Sequence, residues 1–458
     1  MTMSVDIGTR RELFVDGFLI ESMRGGRLQL AHPERREIVF EADAPWEDFA
    51  FAGLSVVQEG AGIRLYYRAA IPDLSDEKVC IIAVAESTDG GRSFTRPRLG
   101  MYEFKGSKDN NIVWHGGMPG VPPAFVDARP DCPAEGRYKG LTGEWRKLYA
   151  MCSHDGIRWR LAQKDPVEMP GTFDTVNTAF WDRTSGCYRC YTRFFDPSHK
   201  PTKDSIGVRA IQTATSPDFV NWTLPIPLVY EDGDATMQMY TNDIIPCPGA
   251  EHIYIGFPNR IVEERVKFPP QRWPGVNDAI FMASRDGVRW SRYREAWVRP
   301  GLDRRNWTHR NNYPVWHIIE TSPEEWSILI SEHYMQEDGT PGRLRRLSVR
   351  PWGFVSAHCD FDGGEIVTRP LVFAGRRLRL NYSTSAAGAV QVEVQDVTGH
   401  PLPGLGLDEM APMFGDELDA AVVWRKGSDL GRIAGRAVRL RFVLRDADLY
   451  ALRLAEDE

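Results

Sequence analysis

The sequence predicts an all-β protein, a five-bladed β-propeller followed by a C-terminal β-sandwich. Three observations carry that prediction. A short motif returns at near-constant spacing, a strand order returns with it, and after Asp360 the repeat gives way to plain apolar–polar alternation. The motif reads STDGGRSF from Ser87, SHDGIRW from Ser153, SPDFVNW from Ser216 and SRDGVRW from Ser284, with a degenerate copy, SVRPWGF, from Ser348. The steps are 66, 63, 68 and 64 residues, the signature of stacked structural units.

Each motif is a tight turn. Asp and Gly accept the locally bonded or positive-φ conformations such a turn requires, Ser caps it, and the following aromatic packs between neighbouring sheets. Around each turn the same strands recur. Inner strands are expected at Ala52–Val57, Val121–Val126, Asn177–Trp181, Asp243–Pro246 and Tyr313–Ile318. Second strands are expected at Ile63–Ala69, Tyr138–Gly143, Tyr188–Phe194, Ile253–Phe257 and Trp326–Ser331. A third strand runs into the Ser-Asp turn and a fourth leaves it, and these units carry no convincing 3.6-residue apolar stripe. The propeller is assigned to 1–360, with 1–45 closing or flanking it, and Gly26–Phe40 is a candidate outer or closing strand. The sandwich is assigned to 361–458, where RRLRLNYST, AVQVEVQD and AVRLRFVLRD alternate with period two.

Composition narrows the function classes. With 56 Lys plus Arg against 63 Asp plus Glu the net charge is −7, which argues against a nucleic-acid partner and against an anionic membrane surface. No run of about 18 apolar residues occurs. The start, MTMSVDIGTRRELFVDG, lacks the apolar stretch and cleavage site of a secretory signal, so a cytoplasmic location is expected. Seven scattered cysteines do not form a disulfide framework. Cys187 and Cys190 are three apart in an extended run and point to opposite faces, so buried free thiols are expected there in place of a metal or redox pair.

In a propeller the start of each inner strand and the end of each second strand meet at one face. Inner-strand starts contribute Glu47 and Asp48, then Asp109, Asn110 and Asn111, then Asp174 and Asn177, then Asn242 and Asp243, then His309 and Arg310. Second-strand ends contribute Arg68, Glu144, Arg193, Arg260, Glu332 and His333. Carboxylates interleaved with Arg, Asn and His, and flanked by Trp46, Trp145 and Trp307, suit a polyhydroxylated ligand: charged and amide groups for its hydroxyls, aromatic faces for its C–H faces. Hydrolysis of a glycoside needs two carboxyl groups, about 5–5.5 Å apart for retention and roughly 6.5–9.5 Å for inversion. Asp174 and Glu332 are the leading acid/base candidates, followed by Glu47 and Asp109. The remaining residues are candidates for binding substrate.

The blocks LFVDGFLIE, GSKDNNIVW, FDTVNTAFWD, MYTND, SEHY, LNYSTSAAG and LRFVLRDADLYALR resemble a group of five-bladed-propeller glycoside hydrolases, loosely similar to the invertase-like and arabinanase-like families. The Ser-Asp turns likewise resemble the Asp-box of propeller glycosidases. The resemblance implies a base, a pKa-adjusting acid and a general acid on successive blades, here Glu47 or Asp48, Asp109 and Asp174. It departs from the family at the third station, where Glu is usual.

The expected activity is cleavage of a small oligosaccharide or glycoside by carboxylate acid/base chemistry at the central pocket. The alternatives are a carbohydrate-binding propeller without catalysis and a sialidase-like hydrolase suggested by Arg68, Arg193, Arg260 and Arg310. Against the last, six blades and a Tyr–Glu nucleophile pair are not found. Structural roles compete for the same residues: Asp174 as a turn cap, Glu332 with His333 as a blade-to-blade tie, and the arginines as partners of neighbouring carboxylates. No cofactor is implied and no His-x-x-x-His pair occurs, although a divalent cation could sit on Asp and Asn oxygens of the channel or between His309 and His333. The sequence leaves the oligomeric state open.

Overall fold

A computed structural model describes all residues except 1–3, 49, 72–79, 118–119, 121, 201–204, 270, 337 and 457–458. The chain is all-β, and the helices among the described residues are short 3-10 turns. It divides into two compact units, one of Pro33–Cys247 with Glu251–Val349, the other of Met1–His32, Pro248–Ala250 and Arg350–Glu458.

The larger unit is a five-bladed β-propeller. Blade one is Ala52–Glu59, Gly62–Ala70, Cys80–Ser87 and Ile112–Gly116, paired in that order. Blade two is Phe125–Val126, Tyr138–Glu144, Lys147–Ser153 and Arg160–Leu161, and blade three is Thr178–Asp182, Cys187–Asp196, Val208–Ser216 and Ile226–Pro227. In blade four the second strand is split into Ala250–Gly256 and Asn259–Val262, between Ile244–Cys247 and Val276–Ser284. Arg289–Val298 follows outward. Blade five begins with Tyr313–Pro314 and Ile319–Ser322 and continues through Glu325–Glu332 and Arg343–Val349. The inner and second strands fall close to where the sequence places them, but two inner strands are shorter than expected: of Val121–Val126 only Phe125–Val126 is strand, with Val121 outside the described residues, and of Tyr313–Ile318 only Tyr313–Pro314.

The ring is closed by the chain's own beginning. Glu34–Glu41 pairs antiparallel with Arg343–Val349 as the outer strand of blade five, with Leu344 opposite Phe40 and Ser348 opposite Glu34. Phe40 then packs in one apolar cluster with Phe51 and Tyr67 of blade one and Leu329 and Leu344 of blade five. Of the expected closing segment, Gly26–Leu30 takes a different place, pairing with Val355–Cys359 in the second unit.

The four Ser-Asp turns share one geometry. The hydroxyls of Ser87, Ser153, Ser216 and Ser284 donate to Asp89, Asp155, Asp218 and Asp286 at 2.7, 3.0, 3.1 and 3.2 Å. Each Asp also accepts successive backbone N–H groups, as Asp155 does from Ile157 at 2.9 Å and Arg158 at 2.8 Å. At Asp89 these bonds outweigh burial, which acts the other way, and hold the carboxyl down to about 2. The turns also tie blade to blade. The Tyr66 hydroxyl of blade one donates to the Gly156 carbonyl of blade two at 2.8 Å, and Tyr191 of blade three donates to Gly287 of blade four at 3.1 Å. The motif aromatics follow: Trp159 meets Tyr66 and Trp290 meets Tyr191 edge to face.

In the second unit an eight-stranded sheet runs Ile20–Arg24, Gly364–Thr368, Arg439–Ala455, Val355–Cys359 and Gly26–Leu30. The long strand Arg377–Gln395 pairs alongside Arg439–Ala455. Its core gathers Phe14, Leu380, Val392, Trp424 and Phe442.

Candidate functional site in blades three and four

A cavity of about 1090 Å³ opens among blades two to five, its walls mostly from blades three and four. Strand alternation sets the blade-three wall: Arg193 and Phe195 are two apart on Cys187–Asp196 and both line the cavity, and Arg209 sits opposite Phe195 on the next strand. Arg260 lies on Asn259–Val262, and Glu263 follows that strand immediately. Loops before the inner strands bring Asp174, Gln238 with Tyr240, and His309 with Arg310. Trp145 enters from the hairpin turn of blade two, and Trp273 from the loop after Glu263.

Three of the four arginines in the wall are held by carboxylates. Arg193, its side chain 4% exposed, donates to the Asp174 carboxylate and to Thr172 Oγ1 at 3.3 Å. Arg209 donates to Glu263 and to Gln238 Oε1 at 2.6 Å, and Gln238 Nε2 donates back to Glu263 Oε2 at 2.9 Å. Burial would raise the Glu263 carboxyl, but the Gln238 bond and the Arg209 guanidinium outweigh it and hold the group below the usual glutamate range. Arg260 grips Asp278, its cross-strand neighbour, through Nε at 2.8 Å and Nη2 at 2.6 Å. Arg310 donates to the hydroxyls of Tyr240 at 3.2 Å and Tyr334 at 3.1 Å and lies 4.7 Å from the Trp273 ring centroid.

His309 presents a different group. Its Nδ1 is 3.0 Å from the Pro274 carbonyl, which can only accept, so Nδ1 carries the hydrogen. Nε2 is then a lone-pair acceptor, buried and without a hydrogen-bond partner. Burial, reinforced by the Arg310 charge, pushes the imidazole down to about 4 and keeps it neutral near pH 7.

Of the residues expected to share one mouth, Asp174, Arg193, Arg260, His309 and Arg310 line this cavity; the others do not. Glu332, with a side chain 0% exposed, faces Arg35, Arg343 and Arg345. Burial would raise its carboxyl; the three arginines hold it below its ordinary value. Glu47 is enclosed by Nε and Nη2 of Arg96 at 2.9 and 2.7 Å, the Tyr67 hydroxyl at 2.6 Å and the Ala44 N–H at 2.9 Å. Asp48 caps the turn into blade one, accepting from the N–H groups of Ala50 at 2.7 Å and Ile71 at 3.0 Å. Arg68 donates to the Ala50 carbonyl at 3.0 Å and the Tyr334 hydroxyl at 3.1 Å. His333 is 2.7 Å from Asp303, so it does not meet His309 through that nitrogen.

Asp109, Asn110 and Asn111 precede the outermost strand of blade one, Ile112–Gly116, and not the inner strand of blade two, because that strand pairs with Cys80–Ser87. Asp109 is exposed against Arg98 at 3.1 Å, and the Asn110 amide bonds the Tyr102 carbonyl at 2.9 Å. Asn111 bonds the Tyr67 hydroxyl at 2.7 Å. Asn177 bonds the Phe173 carbonyl at 2.8 Å, and Asn242 accepts the Thr178 hydroxyl at 2.6 Å. Asp243 starts the inner strand of blade four in a left-handed conformation, φ 45°, and is fully buried with one oxygen on the Thr241 hydroxyl at 2.6 Å. Burial raises its carboxyl to about 7.

Arg209, Gln238, Tyr240, Glu263 and Trp273 are cavity residues that the sequence reading did not select. The signal for Glu263 was present in FPNRIVEE, where Pro258 interrupts the second strand and carries its end past Arg260. Among the described residues no group of three or more His, Cys, Asp and Glu side chains is placed to hold a metal, and all seven cysteines are free thiols. No helix among them is long and apolar enough to cross a membrane.

No protein-family model matches the chain, and no curated protein matches it. Among solved structures it is similar to an N-acetylgalactosamine deacetylase from F. plautii in complex with blood group B trisaccharide: 12% identity, 70% of this chain and 95% of that one, TM-score 0.43. It is also similar to a β-1,2-mannobiose phosphorylase from Listeria innocua, at 14% identity, 70% and 97% coverage and TM-score 0.42. A third is a family 43 arabinoxylan arabinofuranohydrolase from Bacillus subtilis, at 10% identity, 91% and 98% coverage and TM-score 0.39. Scores at this level carry no argument about the chain's residues, activity or substrate, and the fold rests on its own strand pairings.

Proposed function

We propose that the protein is a carbohydrate-active enzyme of the glycoside hydrolase type, and that a small neutral glycoside is held and cleaved in the cavity of blades three and four. The observation that supports this reading is the convergence of two carboxylates, Asp174 and Glu263, with the rings of Tyr240 and Trp273 in one cavity of about 1090 Å³. Glu263, held ionised and oriented by Arg209 and Gln238, is suited to act as base or nucleophile. Asp174 is the second carboxyl group that such a reaction needs.

The wall's charge supports a neutral ligand. Arg193, Arg209, Arg260 and Arg310 are matched in number by Asp174, Asp234, Glu263 and Glu264. Such a wall offers hydroxyls both donors and acceptors without a net field for a carboxylated sugar, which disfavours the sialidase-like reading. One observation favours carbohydrate binding without catalysis: Asp174 and Glu263 are each already engaged by a guanidinium, an arrangement a binding face would also use.

Sugar release from a panel of 4-nitrophenyl glycosides and neutral oligosaccharides separates the two. An enzyme loses roughly a hundredfold or more of its turnover in Asp174→Asn and Glu263→Gln while the melting temperature holds. Binding without turnover in the unaltered protein supports the second reading instead.

A further inference from the structure

The second unit carries a pocket of its own, about 370 Å³, whose walls include Arg377, Arg379, Arg453 and Glu456. Strand pairing brings the arginines together. Arg377 and Arg379 are two apart on Arg377–Gln395 and share a face, and Arg453 stands directly opposite Arg379 on Arg439–Ala455. Arg11 extends the row beyond Arg453, because the next residue, Glu12, pairs with Leu452.

Like charges directly opposite one another destabilise a sheet, and a single carboxylate ties this set together. Asp419 Oδ1 accepts from Arg11 Nη2 at 3.1 Å and Arg453 Nε at 2.8 Å, and Oδ2 accepts from Arg379 Nε at 2.6 Å and Arg453 Nη2 at 2.5 Å. Those four bonds fill the carboxylate's acceptor sites. Only Nε of Arg379 is used, and its Nη1 and Nη2 donate to nothing among the described residues. Glu456 is the second carboxylate, so four guanidinium groups stand against two carboxylates. Asp429 also acts on Arg377 but is itself paired with Arg376 at 2.5 Å. Holding Asp419 would need one arginine, since Arg453 grips it through two nitrogens; the others are in excess of that task.

We infer that this pocket binds a doubly charged tetrahedral oxyanion, a phosphate group that is free or carried on a sugar. Guanidinium forks match phosphate oxygens, and two excess positive charges call for a dianion, whereas a carboxylate brings one charge and two oxygens. The volume stands at the small end of ligand pockets, enough for a phosphate with a single sugar ring attached. The site lies wholly in the second unit, and its occupancy needs no turnover in the propeller cavity.

Calorimetry at pH 7.5 and low ionic strength, with inorganic phosphate, glucose 6-phosphate, sulfate and acetate, tests it. The unaltered protein is expected to bind phosphate or glucose 6-phosphate with a Kd below about 1 mM and about tenfold or more tighter than acetate, with sulfate competing. The tighter of the two phosphates tells whether the group arrives free or on a sugar. Arg379→Gln and Arg377→Gln, the second of which removes no bond to Asp419, should each weaken binding about tenfold. Arg379→Lys, which keeps the charge and loses the fork, should weaken it less. Arg432→Ala, at an exposed arginine of the same unit outside the pocket, should leave it unchanged. Asp457 and Glu458 follow Glu456 in sequence and lie outside the described residues, so a variant with Asp457→Asn and Glu458→Gln is measured as well. Binding no tighter than about 1 mM to either phosphate, equal affinity for acetate, or an affinity unmoved by both Arg379→Gln and Arg377→Gln overturns the inference. Binding that appears only in the Asp457→Asn, Glu458→Gln variant overturns it too, because the chain's own carboxylates would then be the occupant.

Discussion

Glu332, at the end of the second strand of blade five, accepts the guanidinium of Arg35 from the strand that the chain's beginning adds to that blade. Arg343 at 2.8 Å and Arg345 at 2.9 Å complete a cage in which one carboxylate neutralises cations from two neighbouring strands. Removing it takes the carboxylate from Arg35 and Arg345 at the ring's closure, while Arg343 keeps Asp303 at 2.9 Å. Glu332→Gln is therefore expected to cost roughly 3–5 kcal/mol in urea unfolding, more than Arg35→Ala, which deletes a half-exposed partner. The carboxyl's folded pKa lies below its ordinary 4.5, so its contribution is present above about that pH and is lost as pH falls through the folded value. Stability of the unaltered protein should drop on that acid limb, and the variant should lack this part of the drop. Equal urea midpoints for the two would show that the cage does not hold the closure.

A second test concerns the Ser-Asp turns. Gly156 has φ +72°, and a Cβ there would meet Arg64 Nη1 at 2.5 Å and the Tyr66 hydroxyl at 2.6 Å, the groups that bind blade one to this turn. Gly156→Ala should cost roughly 2–4 kcal/mol, the sum of a left-handed alanine and a displaced inter-blade contact. Gly186→Ala is the control: φ is +64°, but no atom lies within 4 Å of the added methyl, so about 1 kcal/mol is expected. Indistinguishable melting curves for the two variants would refute the inter-blade role.

The turns were legible because their chemistry is local: Ser, Asp and Gly at fixed offsets specify a hydrogen-bond pattern that needs no distant partner. The strand positions followed from the turns. The cavity was only half legible, because its pairs come from loops of unequal length. Asp174 meets Arg193 within one blade, but Arg209 reaches Glu263 across two. Glu332 was misleading for a reason that can be stated. A strand end fixes height in a blade, and cross-strand pairing fixes direction; Glu332 sits opposite Arg343. The arginines at 343 and 345 alternate onto one face of their strand, a pattern that already pointed to a shared carboxylate.

His309 offers a pH test of the cavity's own architecture. Its folded pKa of about 4 lies below the ordinary 6.5, so the unfolded chain takes up a proton before the folded one does. Its contribution is complete above about 6.5 and is lost as pH falls toward 4. His309→Gln should flatten the stability profile between those values relative to the unaltered protein. NMR titration of the imidazole carbons checks the same point directly, and a midpoint near 6.5 would remove the buried, neutral acceptor from the site.

Charge balance in the wall makes a final, quantitative demand on ligand choice. Glu263 answers Arg209 in a wall that four arginines and four carboxylates line, so Glu263→Gln leaves one guanidinium charge in excess without changing the side chain's shape. The unaltered protein should bind 4-nitrophenyl glucoside at least as tightly as 4-nitrophenyl glucuronide. The variant should shift that ratio toward the glucuronide by about tenfold, or about 1.4 kcal/mol, with the shift shrinking as salt rises. Isothermal titration of both compounds at low and high ionic strength reads the effect. A glucuronide preference already present in the unaltered protein would mean that the arginines are not neutralised by their neighbours, and the anionic-sugar reading would replace the neutral one.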